Sequence, residues 1–132
     1  MSADITLPAG APEEVVTNAL VRDIDLSAFG GKGTMALITL DNGHDHNRPN
    51  TFGPQSVNAL NDAITDAIGR NPAAIAITGK PFIFAAGADL SALSFLTERS
   101  QAVAIGKLGH DVFRRLDECG VPTFAFINGL AL

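Results

Sequence analysis

No tryptophan and no tyrosine occur in this chain, so any surface for stacking rings or bases could draw only on its 8 phenylalanines. Cysteine is almost absent. The single Cys119 excludes an internal disulfide and suits a reducing cytoplasm. There is no basic tract, and 9 Lys and Arg face 14 Asp and Glu, for a formal net charge of -5. That balance argues against nucleic acid as a partner. No stretch approaches the roughly 20 apolar residues of a membrane span, and the N-terminus lacks the basic and apolar regions of a signal peptide. The absences together point to a cytoplasmic protein that engages neither nucleic acid nor membrane.

What is present is apolar material in punctuated runs. Of 132 residues, 46% are hydrophobic, enough for one domain at most. Residues 1–14 are polar, carry Pro8, Gly10 and Pro12, and read as a flexible or extended lead-in to a domain spanning 15–132. Residues 15–24 and 35–40 read as two paired strands around a loop containing Gly30, Gly31 and Gly33. Gly53-Pro54 opens a helix that carries Val57, Leu60, Ile64, Ala67 and Ile68 at helical spacing and ends near Gly69. Residues 73–78 form a continuous apolar strand and 82–85 a short one. A long helix over 98–119 places Ile105, Leu108, Val112, Leu116 and Cys119 on one stripe, which makes Cys119 a core residue rather than a nucleophile. A last strand covers 123–127. The order is two strands and a helix, twice, then a strand: an α/β chain with a repeated ββα unit.

The most informative run is Phe82-Ile83-Phe84-Ala85-Ala86-Gly87-Ala88-Asp89-Leu90. It begins as a strand, narrows to small residues and ends on Asp89, a good N-cap for a brief helical turn. The Ala88 N–H would sit beside a helix N-terminus, where a developing oxyanion can be held. Local physics leaves two readings open: a binding turn, or a tight strand-to-helix turn without a ligand.

A second run, Val121-Pro122-Thr123-Phe124-Ala125-Phe126-Ile127-Asn128-Gly129-Leu130-Ala131-Leu132, is a Pro-led strand entering an Asn-Gly turn. With Ile77-Thr78-Gly79 ahead of the first run, these pieces resemble the crotonase (enoyl-CoA hydratase/isomerase) superfamily in order and in spacing. The resemblance extends from about Val21 onward. It implies an α/β crotonase-like ββα spiral. It also implies that the glycine run and the glutamates of the family lie past Leu132, so that this chain matches a fold truncated before its second half. The chain alone is then expected to be inactive. The parent is expected to be an enzyme of fatty-acid β-oxidation that associates as a homo-oligomer, a trimer or hexamer. The lead-in and the Asn-Thr-Phe variant further suggest the hydratase end of a multifunctional protein carrying a 3-hydroxyacyl-CoA dehydrogenase region.

Site residues come from the same resemblance. Ala88 would supply one oxyanion N–H, and Ala86, Gly87 and Asp89 would bind substrate beside it, Asp89 also ordering the turn. The loop Arg48-Pro49-Asn50-Thr51-Phe52 is similar to the family loop whose backbone meets the adenine and pantetheine parts of coenzyme A. Its Asn50, Thr51 and Phe52 would bind substrate; read locally it is a polar lead-in to a helix. Ser91 stands where many relatives carry a phosphate-binding lysine. No separate cofactor is expected, since the coenzyme A thioester is the substrate. A non-catalytic acyl-CoA-binding or assembly module is the alternative.

Other candidates are weaker. His44-Asp45-His46 offers too few ligands for a stable metal site, with only His110 besides. Gly79-Lys80-Pro81 lacks the earlier glycine and the following Ser or Thr of a phosphate-binding loop. Gly30-Gly31-Lys32-Gly33 precedes a strand rather than joining strand to helix, unlike a dinucleotide fingerprint. Asp111, Asp117 and Glu118 lie on the polar side of the long helix and read as solvated.

Overall fold

The computed structural model describes Ile5 and residues 7–132. β1 (Asn18–Asp25) and β2 (Thr34–Asp41) pair antiparallel, Asn18 opposite Asp41 and Asp25 opposite Thr34. Between them Leu26–Phe29 forms one 3-10 turn. The Asp25 carboxylate accepts the Ser27 N–H at 2.9 Å, and Gly30 closes the turn at φ 80, a left-handed position that suits glycine. β1 starts three residues later than its apolar pattern suggests. Thr17 explains this: its N–H goes to Ser56 Oγ and its hydroxyl to the Thr51 carbonyl, away from any ladder.

α1 (Pro54–Gly69) returns the chain to β3 (Ala74–Gly79), which runs parallel to β2. Pro54 fits the first helical position, where its missing N–H costs nothing. α1 buries Val57, Leu60, Ala63, Ile64 and Ala67 against Ala36, Ile38, Leu40 and Ile75 of the sheet. Each fully buried Leu or Ile contributes roughly 1.5–3 kcal/mol. β3 turns sharply into β4 (Phe82–Ala85), the Ile83 N–H bonding the Lys80 carbonyl at 3.1 Å with Phe82 at φ 67. α2 (Arg99–Asp117) packs Leu108 and Val112 onto the same core. It ends two residues before Cys119, and Gly120 at φ 80 turns the chain away. Cys119 rests against the core edge, its thiol facing the Leu116 and Val121 carbonyls.

β5 (Thr123–Phe126) joins the sheet beside β3, giving the order β1-β2-β3-β5. One element is invisible to sequence patterning. After Ile127 and Asn128 comes a further strand, β6 (Gly129–Ala131), paired parallel with β4 in a second, two-stranded sheet. The element order is therefore ββα, ββα, ββ.

Candidate functional site

The loop before α1 and the end of β4 are held together by main-chain hydrogen bonds. The Phe52 N–H donates to the Gly87 carbonyl at 2.9 Å, and the Asp89 N–H donates to the Phe52 carbonyl at 2.9 Å. This is one isolated parallel bridge, Phe52 opposite Ala88. A parallel bridge uses the groups that flank one residue and leaves that residue's own N–H and C=O free. Accordingly, among the described residues the Ala88 N–H makes no hydrogen bond, and Ala88 is exposed. The neighbouring N–H of Ala86 is consumed by the Asn50 carbonyl at 2.8 Å.

No helix begins at Asp89. Its carboxylate accepts the Ser91 N–H at 2.9 Å in a local turn, and only a three-residue 3-10 segment, Leu93–Phe95, follows. Asp89 therefore organises a turn rather than capping a helix. The Ala88 N–H is aimed by strand pairing, not reinforced by a helix dipole. Gly87 is required here: its φ is 76, and a Cβ would come 3.2 Å from the Leu132 carbonyl oxygen.

Ala88 lines a groove of about 690 Å³ between α2, the Phe52 loop and the β4–β6 sheet. Phe52, Phe84, Ile105, Phe113 and Leu116 supply its larger walls, and Gly106 and Gly109 open the α2 side. Phe52 and Phe113 meet edge to face, ring centres 5.8 Å apart. Every lining side chain is apolar or glycine. Among the described residues, the polar groups at this surface belong to the main chain.

Asn50 works inward. It is fully buried; its Oδ1 accepts the Asn42 N–H at 3.1 Å, and its Nδ2 donates to the Leu40 and Phe84 carbonyls at 2.9 and 3.2 Å. The amide ties the loop to β2 and β4, while Thr51 is anchored through Thr17. In the sequence Asn50, Thr51, Phe52, Ala86, Gly87, Ala88 and Asp89 belong to two separate motifs, and the fold brings them into one bridge.

Three supporting residues are not singled out as site residues in the sequence, although Asn128 belongs to the Asn-Gly turn of the second run. Glu14, at the end of the lead-in, is 7% exposed and accepts the N–H groups of Gln55 and Ser56 and the Ser56 hydroxyl at 2.8, 2.9 and 2.5 Å. It caps α1 from forty residues away. The required close approach is why Gly53 carries no side chain: a Cβ there would meet the Glu14 carboxylate. Asn128 imitates a strand partner, its Oδ1 accepting the Gly79 N–H and its Nδ2 donating to the Gly79 and Lys80 carbonyls. Lys80, part of an incomplete phosphate loop by sequence, is 4% exposed and buried beneath the 42–48 loop. A lone lysine inside an otherwise apolar strand-turn-strand run was the available signal.

The remaining candidates sit apart. His44, Asp45 and His46 are exposed, and among the described residues no group of three potential metal-binding side chains forms. Asp111 pairs with Lys107 at 2.5 Å, while Asp117 and Glu118 face solvent. No helix among the described residues is long and apolar enough to cross a membrane.

The chain and its fold resemble those of known proteins. The fatty acid oxidation complex subunit alpha of Shewanella loihica is 37% identical over 81 residues, covering 61% of this chain and 11% of the relative. The chain therefore spans about a ninth of the curated relatives it matches. Human enoyl Coenzyme A hydratase domain-containing protein 3 superposes with a TM-score of 0.68 at 22% identity, over 86% of this chain and 41% of that one. The Mtb enoyl-CoA isomerase in its apo form superposes with a TM-score of 0.60 at 28% identity, over 80% of this chain and 40% of that one. These likenesses bear out the crotonase-like α/β architecture. The enoyl-CoA hydratase/isomerase family model matches residues 30–132, well over half of the sequence, and the chain belongs to that family.

Proposed function

We propose that this chain is the acyl-CoA-binding part of an enoyl-CoA hydratase/isomerase-like enzyme of fatty-acid β-oxidation, and that the Ala88 N–H is one donor to the thioester oxygen. The observation that carries this reading is Ala88 at an apolar groove, its N–H without a hydrogen bond among the described residues. A thioester carbonyl placed against that donor would leave its acyl chain among Phe52, Phe84 and Phe113. As an enolate forms, negative charge gathers on the thioester oxygen. A preorganised N–H in a dry site favours that charge more than it favours the neutral ground state. One such donor is commonly worth about 3–4 kcal/mol in the transition state.

Addition of water, or movement of a proton along the acyl chain, also needs a general acid or base. No Asp or Glu side chain lines the groove among the described residues. That favours a second reading for the chain taken by itself: it binds acyl-CoA without turning it over. The kinship with fatty acid oxidation complex alpha subunits supports placing the parent in fatty-acid oxidation; a 3-hydroxyacyl-CoA dehydrogenase activity, a cytoplasmic location and a homo-oligomeric state are part of the same proposal. Coenzyme A enters as part of the substrate, and no other cofactor is assigned.

The test is a titration of the chain with octanoyl-CoA, which cannot be hydrated, followed by incubation with crotonyl-CoA while the conjugated thioester absorbance is monitored. Saturable binding of octanoyl-CoA, tighter than that of free coenzyme A, without loss of that absorbance, is the expected result. Absence of binding would reject the acyl-CoA reading, and rapid loss of absorbance would reject the reading that the chain binds acyl-CoA without turning it over.

A further inference from the structure

The Lys80 ammonium is buried among neutral oxygens. It donates to Asn42 Oδ1 at 2.5 Å and to the carbonyls of His44, Asp45 and Arg48 at 2.8, 2.9 and 2.6 Å. Four oxygens thus crowd three N–H bonds, and among the described residues no carboxylate lies within ion-pair distance of Lys80. A buried charge without a counter-ion is costly unless hydrogen bonds replace its water. Here the carbonyls of one loop do so, which means that the loop can hardly leave its place without stranding the charge.

The main chain of Lys80 is equally committed. Its N–H donates to the Leu40 carbonyl at 2.9 Å, and its carbonyl accepts the Ile83 N–H at 3.1 Å and Asn128 Nδ2 at 2.7 Å. One residue therefore links the end of β2, the β3–β4 turn, the β5–β6 junction and the 42–48 loop. Those segments lead directly to Asn50–Phe52, to Gly87–Ala88 and to β6. Asn42 completes the link, since its Oδ1 meets Lys80 while its own N–H binds Asn50 Oδ1.

We infer that Lys80 is a positioning residue for the acyl-CoA site: its caged ammonium sets the 42–48 loop and, through Asn42 and Asn50, the Phe52–Ala88 bridge. This rests on the acyl-CoA reading. Lys80 touches neither groove nor substrate. Its charge serves as a fastener rather than as a phosphate contact, and its burial keeps it from any ligand.

The test compares the wild-type chain with Lys80→Met, which keeps length and loses the donors, and with Lys80→Arg, which keeps charge and donors. Amide hydrogen exchange and octanoyl-CoA affinity are measured on each. Expected for Lys80→Met are exchange at least tenfold faster over residues 42–52, affinity at least tenfold weaker, and unaltered exchange at the core residues Leu60 and Ile75. Lys80→Arg should recover a large part of both. Faster loop exchange with affinity within twofold of wild type would overturn the inference, as would unaltered loop exchange. If Lys80→Met also loses core protection, Lys80→Gln replaces it, since its shorter neutral amide removes the ammonium and cannot reach all four oxygens, and is held to the same criteria. Should the wild-type chain itself fail to bind octanoyl-CoA, the acyl-CoA reading falls, and the inference about the site falls with it. Unaltered loop exchange beside intact wild-type binding rejects the role of Lys80 alone.

Discussion

At the scale of single residues, the site depends on groups that are buried and fully engaged. Asn50 shows this best, because all its amide bonds go to the main chain of other segments. Asn50→Ala strands the Asn42 N–H and two carbonyls in the interior, and should cost roughly 2–4 kcal/mol, read as a lower midpoint in chemical denaturation. Asn50→Asp should be at least as harmful, since it places a carboxylate against the Leu40 and Phe84 carbonyls. An Asn50→Ala chain of wild-type stability would mean that the amide does not hold the loop. For Ala88 the expectation concerns rate. In a form of the enzyme that turns over, Ala88→Pro should lower kcat by roughly 10²–10³, while Ala88→Ser, which keeps the N–H, should stay within tenfold of wild type. Thermal midpoints of both variants establish first that each is folded, and a folded Ala88→Pro enzyme with ordinary kcat would remove Ala88 from the mechanism.

At the scale of elements, α1 is the case in point. Its hydrophobic stripe was legible in the sequence, because Val57, Leu60, Ile64 and Ala67 recur at helical spacing and are buried, whereas Ile68, read on the same stripe, is 39% exposed. Its cap was not legible. Local capping rules look one or two residues upstream, and Gly53 offers no side chain there. The carboxylate comes from Glu14, and only the fold brings it near. Glu14→Ala should therefore cost about 1–2 kcal/mol, with faster exchange at the Gln55 and Ser56 amides than elsewhere in α1. Uniform exchange along α1 in this variant would contradict the cap. β6 escaped for a related reason: three residues carry too little pattern to announce a strand, and this one is fixed by Asn128 and by pairing with β4. The close pack there is strict, since a Cβ on Gly129 would overlap the Phe82 carbonyl. The Gly87–Ala88 turn was legible as a turn, from its small residues. The helix expected after it does not form, because Asp89 closes a local ring on Ser91 instead of starting one.

For the whole molecule, surface charge and exposed apolar area set behaviour. The carboxyls of Asp25, Asp45, Asp66 and Asp111 are all held below the ordinary value of 3.8: by the Ser27 and Asn47 backbone N–H groups for the first two, and by hydrogen bonds from the Arg70 and Lys107 side chains for the others. A carboxyl with a lowered pKa in the folded state stabilises it above the unfolded pKa and loses that effect as pH falls through the folded value. The thermal midpoint should thus be insensitive to these groups from about pH 5 to 8 and decline below about pH 4. All four are solvent-exposed, so added salt should weaken the two side-chain pairs further. Asp25→Asn should flatten part of the acid limb, and an acid limb unaltered by it would exclude that group. The second molecular feature is β5, whose residues are all exposed, continuous with exposed Ile127, Leu130 and Leu132. Uncovered apolar strand edges invite pairing. Sedimentation of the chain should give a mass above 13.7 kDa, and the double substitution of Phe124 and Phe126 by Glu should return it toward that monomer value. A monomer at all concentrations would reject self-association through this face.

The bridge between Phe52 and Ala88 has a consequence for how such a site can be found at all. Its one free donor belongs to the peptide unit, so the side chain at position 88 carries none of the chemistry. An alanine scan would pass over it, because the residue is already alanine, and most other replacements would retain the same N–H. Only a change to the backbone reads it: proline, or an ester linkage in place of that single amide. The donor proposed to meet a substrate is therefore one that ordinary mutagenesis leaves untouched.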